Sequence, residues 1–230
     1  MQQLRPTPPA VLDALAAAVL ARLQGHQAAS HLVLGGGVAL QHYCPYRPTV
    51  DVDGWWLDRA RQETEALLDQ VVRSLARERG LTYRRRTFGD TQSYELAAGG
   101  RTIFTVQVSV RSVAIDEPLP SAWPPVQIES FRDNLGAKMS ALVGRGAPRD
   151  FTDVFEVCRR QLASEGDCWS LWRLKNPGQD ATEAKARVLH HLEQLAARRP
   201  LADIPAGEER ERAERLRAWV RRSLCVEEQP

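Results

Sequence analysis

The chain has 230 residues, with 31 basic and 29 acidic side chains and a net charge of +2. It is long enough to bury a sizeable core and too evenly charged to announce a nucleic-acid partner through its net field. At 43% hydrophobic and 26% charged residues, the composition excludes a disordered chain, a fibrous repeat and a disulfide miniprotein.

Pro8 and Pro9 open a helical pattern that runs to about Gln24, since proline is tolerated in a first helical turn. Its run ALAAAVLARL is flanked by Asp13 and contains Arg22, so it reads as an amphipathic helix and not as a signal peptide. A short apolar run, His31 to Leu34, ends in Gly35, Gly36 and Gly37, and VALQHYC then reads as a helix. Thr49 to Leu57 alternates like a strand, with Val50 and Val52 on one side and Asp51 and Asp53 on the other. Residues 58 to 79 carry helical spacing and stop at Gly80. LTYRRRTF, TQSYELAA and RTIFTVQVSV are β-like runs separated by Gly89-Asp90 and Gly99-Gly100, the signature of an antiparallel meander. After the loop DEPLPSAWPP, a short strand is predicted around Val126 to Ile128. Helices follow over 130–143, 150–164, 167–174, 181–198 and 207–224. An α+β half therefore precedes a helical half, with the boundary near residue 125.

No stretch approaches the roughly 18 to 20 apolar residues of a membrane span, so no membrane partner is expected. Cys44, Cys158, Cys168 and Cys225 are scattered without CxxC pairing, which points to a reducing, cytoplasmic setting. Arg84, Arg85 and Arg86 form a local basic cluster that suits either an RNA backbone or a solvated strand face. His190 and His191 lack acidic or cysteine partners at ligand spacing and read as surface or interhelix residues. Trp55 and Trp56 follow the acidic strand and serve either core packing or base stacking.

Asp51 and Asp53 are the sharpest local feature. Alternate strand residues share a face, and two neighbouring carboxylates suit a hard cation such as Mg²⁺ or Mn²⁺; a solvated strand face is the plain alternative. Gly36 and Gly37, between a strand and a helix, offer backbone N–H groups to a phosphate or form a simple tight turn. Further on, Lys138 shares a helix face with Leu135 and Leu142. Asp150 stands where a first-turn acid belongs, with Asp153 three residues on, while Arg145 and Arg149 flank a GAP loop.

GGGVAL followed by TVDVD resembles the minimal nucleotidyltransferase core, and KMSALVGRGAPRDFTDVFEV resembles the later motifs of the AbiEii toxin branch, found in type IV toxin–antitoxin systems and in MenT-like enzymes. The resemblance implies an α+β fold: a nucleotidyltransferase-like mixed β-sheet core flanked by helices over 1–125, then a C-terminal helical bundle over 126–230 that contributes Lys138 and the RDxxD block. It implies transfer of NMP from an NTP to an acceptor hydroxyl, at the tRNA 3′ end, blocking translation until an antitoxin encoded nearby relieves it. Asp51 and Asp53 are then the ligands of Mg²⁺ or Mn²⁺ and are catalytic together with Lys138 and Asp150. Gly36, Gly37, Thr49, Arg145, Arg149 and Asp153 bind the nucleotide. The run RTIFTVQVSV lacks the third carboxylate of many nucleotidyltransferases; Gln107 or Ser109 falls where it is expected, and Glu95 is a substitute on the preceding strand. Two other readings stand beside this one: a catalytically weak nucleotide-binding module paired with an antitoxin, and a nucleotidyltransferase acting on a small molecule such as an antibiotic. Only three lysines occur among 31 basic residues, a coding bias for the most part, yet Lys138 falls where the resemblance requires lysine.

Overall fold

The computed structural model describes residues 4–57, 61–111 and 113–226. The chain divides by internal contacts into two compact units, Gln3–Asn134 and Leu135–Pro230.

The first unit is built on a seven-stranded mixed sheet: β1 (Leu32–Leu34), β2 (Val52–Trp56), β3 (Thr82–Phe88), β4 (Thr91–Ala98), β5 (Arg101–Val110), β6 (Leu119–Pro120) and β7 (Gln127–Ile128), in the order β3-β4-β5-β2-β1-β7-β6. The meander β3-β4-β5 is antiparallel, as the glycine-containing turns predict. β2 runs parallel to β5, and β1 parallel to β7. The seven-stranded mixed sheet with flanking helices agrees with the α+β expectation. β6 had no strand signature in the sequence, being two residues of a proline-rich loop that pair antiparallel with β7.

α1 (Ala14–Leu23) starts later than the prolines suggest, because Asp13 caps it by accepting a 2.8 Å hydrogen bond from the Leu15 N–H. Its buried stripe is Ala16, Val19, Leu20 and Leu23. α2 (Gly36–Gln41) is a single short helix. α3 (Gln62–Arg79) ends at Gly80 and buries Leu68, Val71, Val72 and Leu75, the i, i+3, i+4, i+7 stripe of an amphipathic helix. One sheet face contributes Val52, Trp56, Tyr94, Leu96, Phe104, Val106 and Val108 to the core. Alternation places Asp53, Ser93, Glu95, Thr105 and Gln107 on the other face.

The second unit is helical. After α4 (Phe131–Gly144), which begins just before it, come α5 (Pro148–Arg159), α6 (Glu165–Lys175), α7 (Ala181–Arg198) and α8 (Glu208–Trp219), the last continuing into a π-helical turn, Val220–Leu224. α6 starts with a reciprocal box in which Ser164 Oγ accepts from the Asp167 N–H and the Asp167 carboxylate accepts from the Ser164 N–H. Asp180 caps α7. Leu142, Phe151, Val154, Trp172, Val188 and Val220 are fully or almost fully enclosed. His191 meets the Val143 carbonyl and His190 meets Gln194. Among the described residues no helix is long and apolar enough to cross a membrane.

Phe104 is completely buried, so Phe104→Ala is expected to cost about 3–5 kcal/mol in chemical denaturation. His42, just past α2, is enclosed and places Nδ1 2.9 Å from the Val38 carbonyl. Burial holds its pKa below the ordinary 6.5, against the opposing pull of that carbonyl. The unfolded chain therefore takes up this proton more readily, and the stability His42 contributes is complete above pH 6.5 and declines as the pH falls below it. The melting temperature should drop between pH 7.5 and 5.5 by more in the wild type than in His42→Gln, and parallel curves would remove His42 as the cause.

Candidate functional site

The glycine turn between β1 and α2 sits directly on β2. Gly36 has φ +56°, a conformation L side chains rarely adopt. A Cβ there would collide with the Asp53 carboxylate and Cβ. The Gly35 N–H donates to the Asp53 carbonyl at 2.9 Å. A Cβ on Gly37 would lie 2.5 Å from Thr49 Oγ1, and one on Gly35 2.5 Å from Trp55 Nε1 and 3.1 Å from Glu129 Oε2. All three glycines are thus occupied on the side where a side chain would begin. The GGG and TVDVD segments, separated by eleven residues in sequence, meet here.

Asp53 lies within β2, but the strand begins at Val52, so Asp51 stands on the bend that leads into it. The sequence reading placed both on one strand; the bend arises where Thr49 Oγ1 turns back toward the Asp51 carbonyl at 3.4 Å. Both carboxylates are half-buried. Gln107 on β5 is the register neighbour of Asp53, and β5 carries no acid. Glu95 is on β4, opposite Thr105. Among the described residues no three His, Cys, Asp or Glu side chains are grouped to hold a metal ion. Two hard carboxylates still fit Mg²⁺ or Mn²⁺, because such ions are commonly bound by one or two carboxylates with substrate phosphates and water completing the shell.

Two buried groups escaped the sequence reading. Asn134 Nδ2 donates to the Gly36 carbonyl at 3.1 Å and to Glu129 Oε2 at 3.0 Å. Glu129, completely enclosed, also pairs with Arg111 at 3.2 Å, and Arg111 further contacts Asp133. Asp133 accepts from the Ile115 and Asp116 N–H groups at 2.8 Å each. Tyr43 donates its hydroxyl to the Glu129 carbonyl at 2.7 Å, and burial, with Glu129 and Asp133 nearby, pushes its own ionisation well up. A carboxylate and an amide five residues apart at a helix start were the available signal, but helical periodicity alone left them unassigned. Trp56 is buried, while Trp55 is half-buried beside Gly35.

In the second unit, Lys138 Nζ lies 2.7 Å from Asp153 Oδ2, with side chains 11% and 0% exposed. Asp150 is equally enclosed and receives a two-pronged contact from Arg145, Nε at 2.9 Å and Nη2 at 3.0 Å, while also accepting from the Ala147 N–H at 3.2 Å. It occupies the first turn of α5, the position the sequence assigned to it. Arg149 is exposed on the same turn. Lys138 with Asp153 and Arg145 with Asp150 are therefore matched pairs inside the KMSALVGRGAPRDFTD block. One helical turn beyond, burial would raise the pKa of Glu156, but Arg159, Arg212 and Arg160 bring it below the ordinary value.

Residues 18–222 match the family model described as nucleotidyl transferase AbiEii toxin, type IV toxin–antitoxin system. No curated relative matches the chain.

Gly36→Ala should be far more disruptive than Gly25→Ala. Both positions have positive φ, but nothing lies within 4 Å of a Cβ at Gly25. Backbone strain of about 1–2 kcal/mol is common to both, and the excess loss in urea unfolding for Gly36→Ala measures the contact with Asp53. Equal losses would mean that the carboxylate simply moves aside.

Proposed function

Because the chain belongs to the AbiEii nucleotidyltransferase toxin family of type IV toxin–antitoxin systems, we propose that it transfers the NMP moiety of an NTP to an acceptor hydroxyl and releases pyrophosphate. The acceptor is tRNA at its 3′ end, the outcome is a block of translation in the cytoplasm, and an antitoxin encoded nearby relieves it. The observation that carries the reading is the seating of Gly36 against Asp53 and of Gly37 against Thr49, which joins a phosphate-binding type of turn to an acidic strand in one place.

Asp51 and Asp53 would hold Mg²⁺ or Mn²⁺; when bound, the cation neutralises charge on the triphosphate oxygens. Gly36, Gly37 and Thr49 present backbone N–H groups and a hydroxyl to the phosphates. The acceptor hydroxyl releases its proton to water as its oxygen bonds to the α-phosphorus and the bond from that phosphorus to the pyrophosphate oxygen breaks. Lys138, paired with Asp153, is the compact positive charge that the family reading assigns to the triphosphate. Asp150 fixes the orientation of the Arg145 guanidinium through a two-pronged contact, and Arg149 adds charge on the same helix turn. Arg84 and Arg86, exposed on β3, are suited to the RNA backbone. A catalytically quiet NTP-binding module is the second reading, favoured by Gln107 standing beside Asp53 where an acid is expected.

Incubation with Mg²⁺, each labelled NTP in turn and total tRNA tests the proposal. Label should pass to tRNA, and Asp53→Ala should lose about 10²–10³-fold or more in rate, the scale for removing a group that stabilises transition-state charge. Binding of NTP without label transfer would establish the quiet module instead. Lys138→Arg should lose activity, because a guanidinium fork does not replace a point charge against Asp153; full activity would reduce Lys138 to a generic cation.

A further inference from the structure

Among the described residues of the helical unit, the buried charged side chains are Lys138, Asp150, Asp153, Glu156 and Arg217. The first four each stand against an opposite charge. Arg217, 7% exposed, has no carboxylate partner among the described residues; its Nη2 donates to the Arg199 carbonyl at 2.5 Å. That carbonyl lies at the end of α7, where a cation meets the negative end of the helix. The contact uses one of the five N–H groups of a guanidinium. Burial lowers the pKa of Arg217, and the neighbouring cations Arg221 and Arg199 lower it further. An enclosed charge without a counter-charge is costly, and arginine keeps its proton all the same.

Arg217 borders a cavity of about 190 Å³ between the start of α5, the end of α7 and α8. A single water needs only about 10–15 Å³, so the space admits an organic group. Phe151, Leu195, Ile204 and Leu216 give it apolar walls, and Arg199, Arg212 and Glu209 bring the other charges. Arg199 meets Glu209 at 2.7 Å, and Arg212 meets Glu156 at 3.0 Å. Both of these cations therefore have an acid, which leaves Arg217 as the unmatched charge of the cavity.

We propose that this cavity binds a small monocarboxylate with an apolar body, its carboxylate on Arg217 and its body against Phe151, Ile204 and Leu216. A guanidinium presents parallel N–H groups that fit the two oxygens of a carboxylate. One unmatched positive charge calls for one negative charge, which favours a carboxylate over a phosphate monoester carrying nearly two. The cavity takes Phe151 and Thr152 from α5, whereas Asp150 and Asp153 of that helix are engaged by Arg145 and Lys138. The site is thus separate from the Lys138 block, and its assignment does not depend on nucleotidyl transfer.

Titration with benzoate, benzamide and acetate, followed by NMR, tests the proposal. Benzamide keeps the ring without the charge, and acetate keeps the charge without the ring. The wild type should bind benzoate about tenfold or more tightly than benzamide, the range for hydrogen bonds to a charged group, and more tightly than acetate. The preference over benzamide should collapse toward one in Arg217→Gln. Ala213→Leu adds carbon to the cavity wall and leaves Arg217 in place, so it should weaken benzoate binding even if Arg217→Gln fails to fold; melting curves register folding separately. A guanidinium that serves only to close α7 predicts no discrimination between benzoate and benzamide. Equal affinity of the wild type for those two, an undiminished preference in folded Arg217→Gln, unchanged binding in Ala213→Leu, or acetate binding as tightly as benzoate overturns the assignment.

Discussion

Asp53 and Gly36 approach so closely that a single additional carbon would not fit between them, and much of the first unit is arranged to maintain that contact. The carbonyl of Asp53 receives the Gly35 N–H, while β1 is paired with β2 on one side and β7 on the other. Asn134 ties the Gly36 carbonyl to Glu129. Glu129 and Asp133 are fully enclosed and share Arg111. Such a network is weak evidence of net stability, because desolvating charges is costly, but removing one partner strands the others and costs more than the pair contributes. Its effect is geometric: the turn has one seat.

The second unit applies the same constraint along a single helix. α5 carries Asp150, Asp153 and Glu156 at three-residue intervals, all nearly inaccessible, and each is matched by cations: Arg145, Lys138, and the group Arg159, Arg160 and Arg212. Only Lys138 among these cations is itself nearly buried; the arginines keep large exposed portions. A compact ammonium enclosed beside a carboxylate and an exposed planar fork on its neighbour are different chemical tools, although both are commonly counted as basic residues.

The meander was legible because local signals agreed: β-branched and aromatic runs, with Gly89-Asp90 and Gly99-Gly100 between them. The helices of the second unit were legible from periodicity, 181–198 to the residue, although the one expected over 150–164 stops at Arg159. The parallel pairing of β2 with β5 was not legible, since it joins segments about fifty residues apart through backbone hydrogen bonds that leave no trace in composition. Asp51 and Asp53 were found, but alternation could not show that the strand starts between them. Lys138 and Asp153 were each singled out for resemblance, and their pairing emerged only in three dimensions. Glu129 and Asn134 were missed because a buried polar group reads like a solvated one until its partners are known.

The glycine turn draws on residues 35–37, 53, 129 and 134, positions spread over 100 of the 230 residues. During synthesis the acidic strand emerges long before the amide that ties down the turn. A ribosome that has not yet delivered Asn134 carries the two sequence blocks without the hydrogen bonds by which that amide ties the Gly36 carbonyl to Glu129. For a toxin, synthesis as far as Asn134 is thereby a condition on that tie.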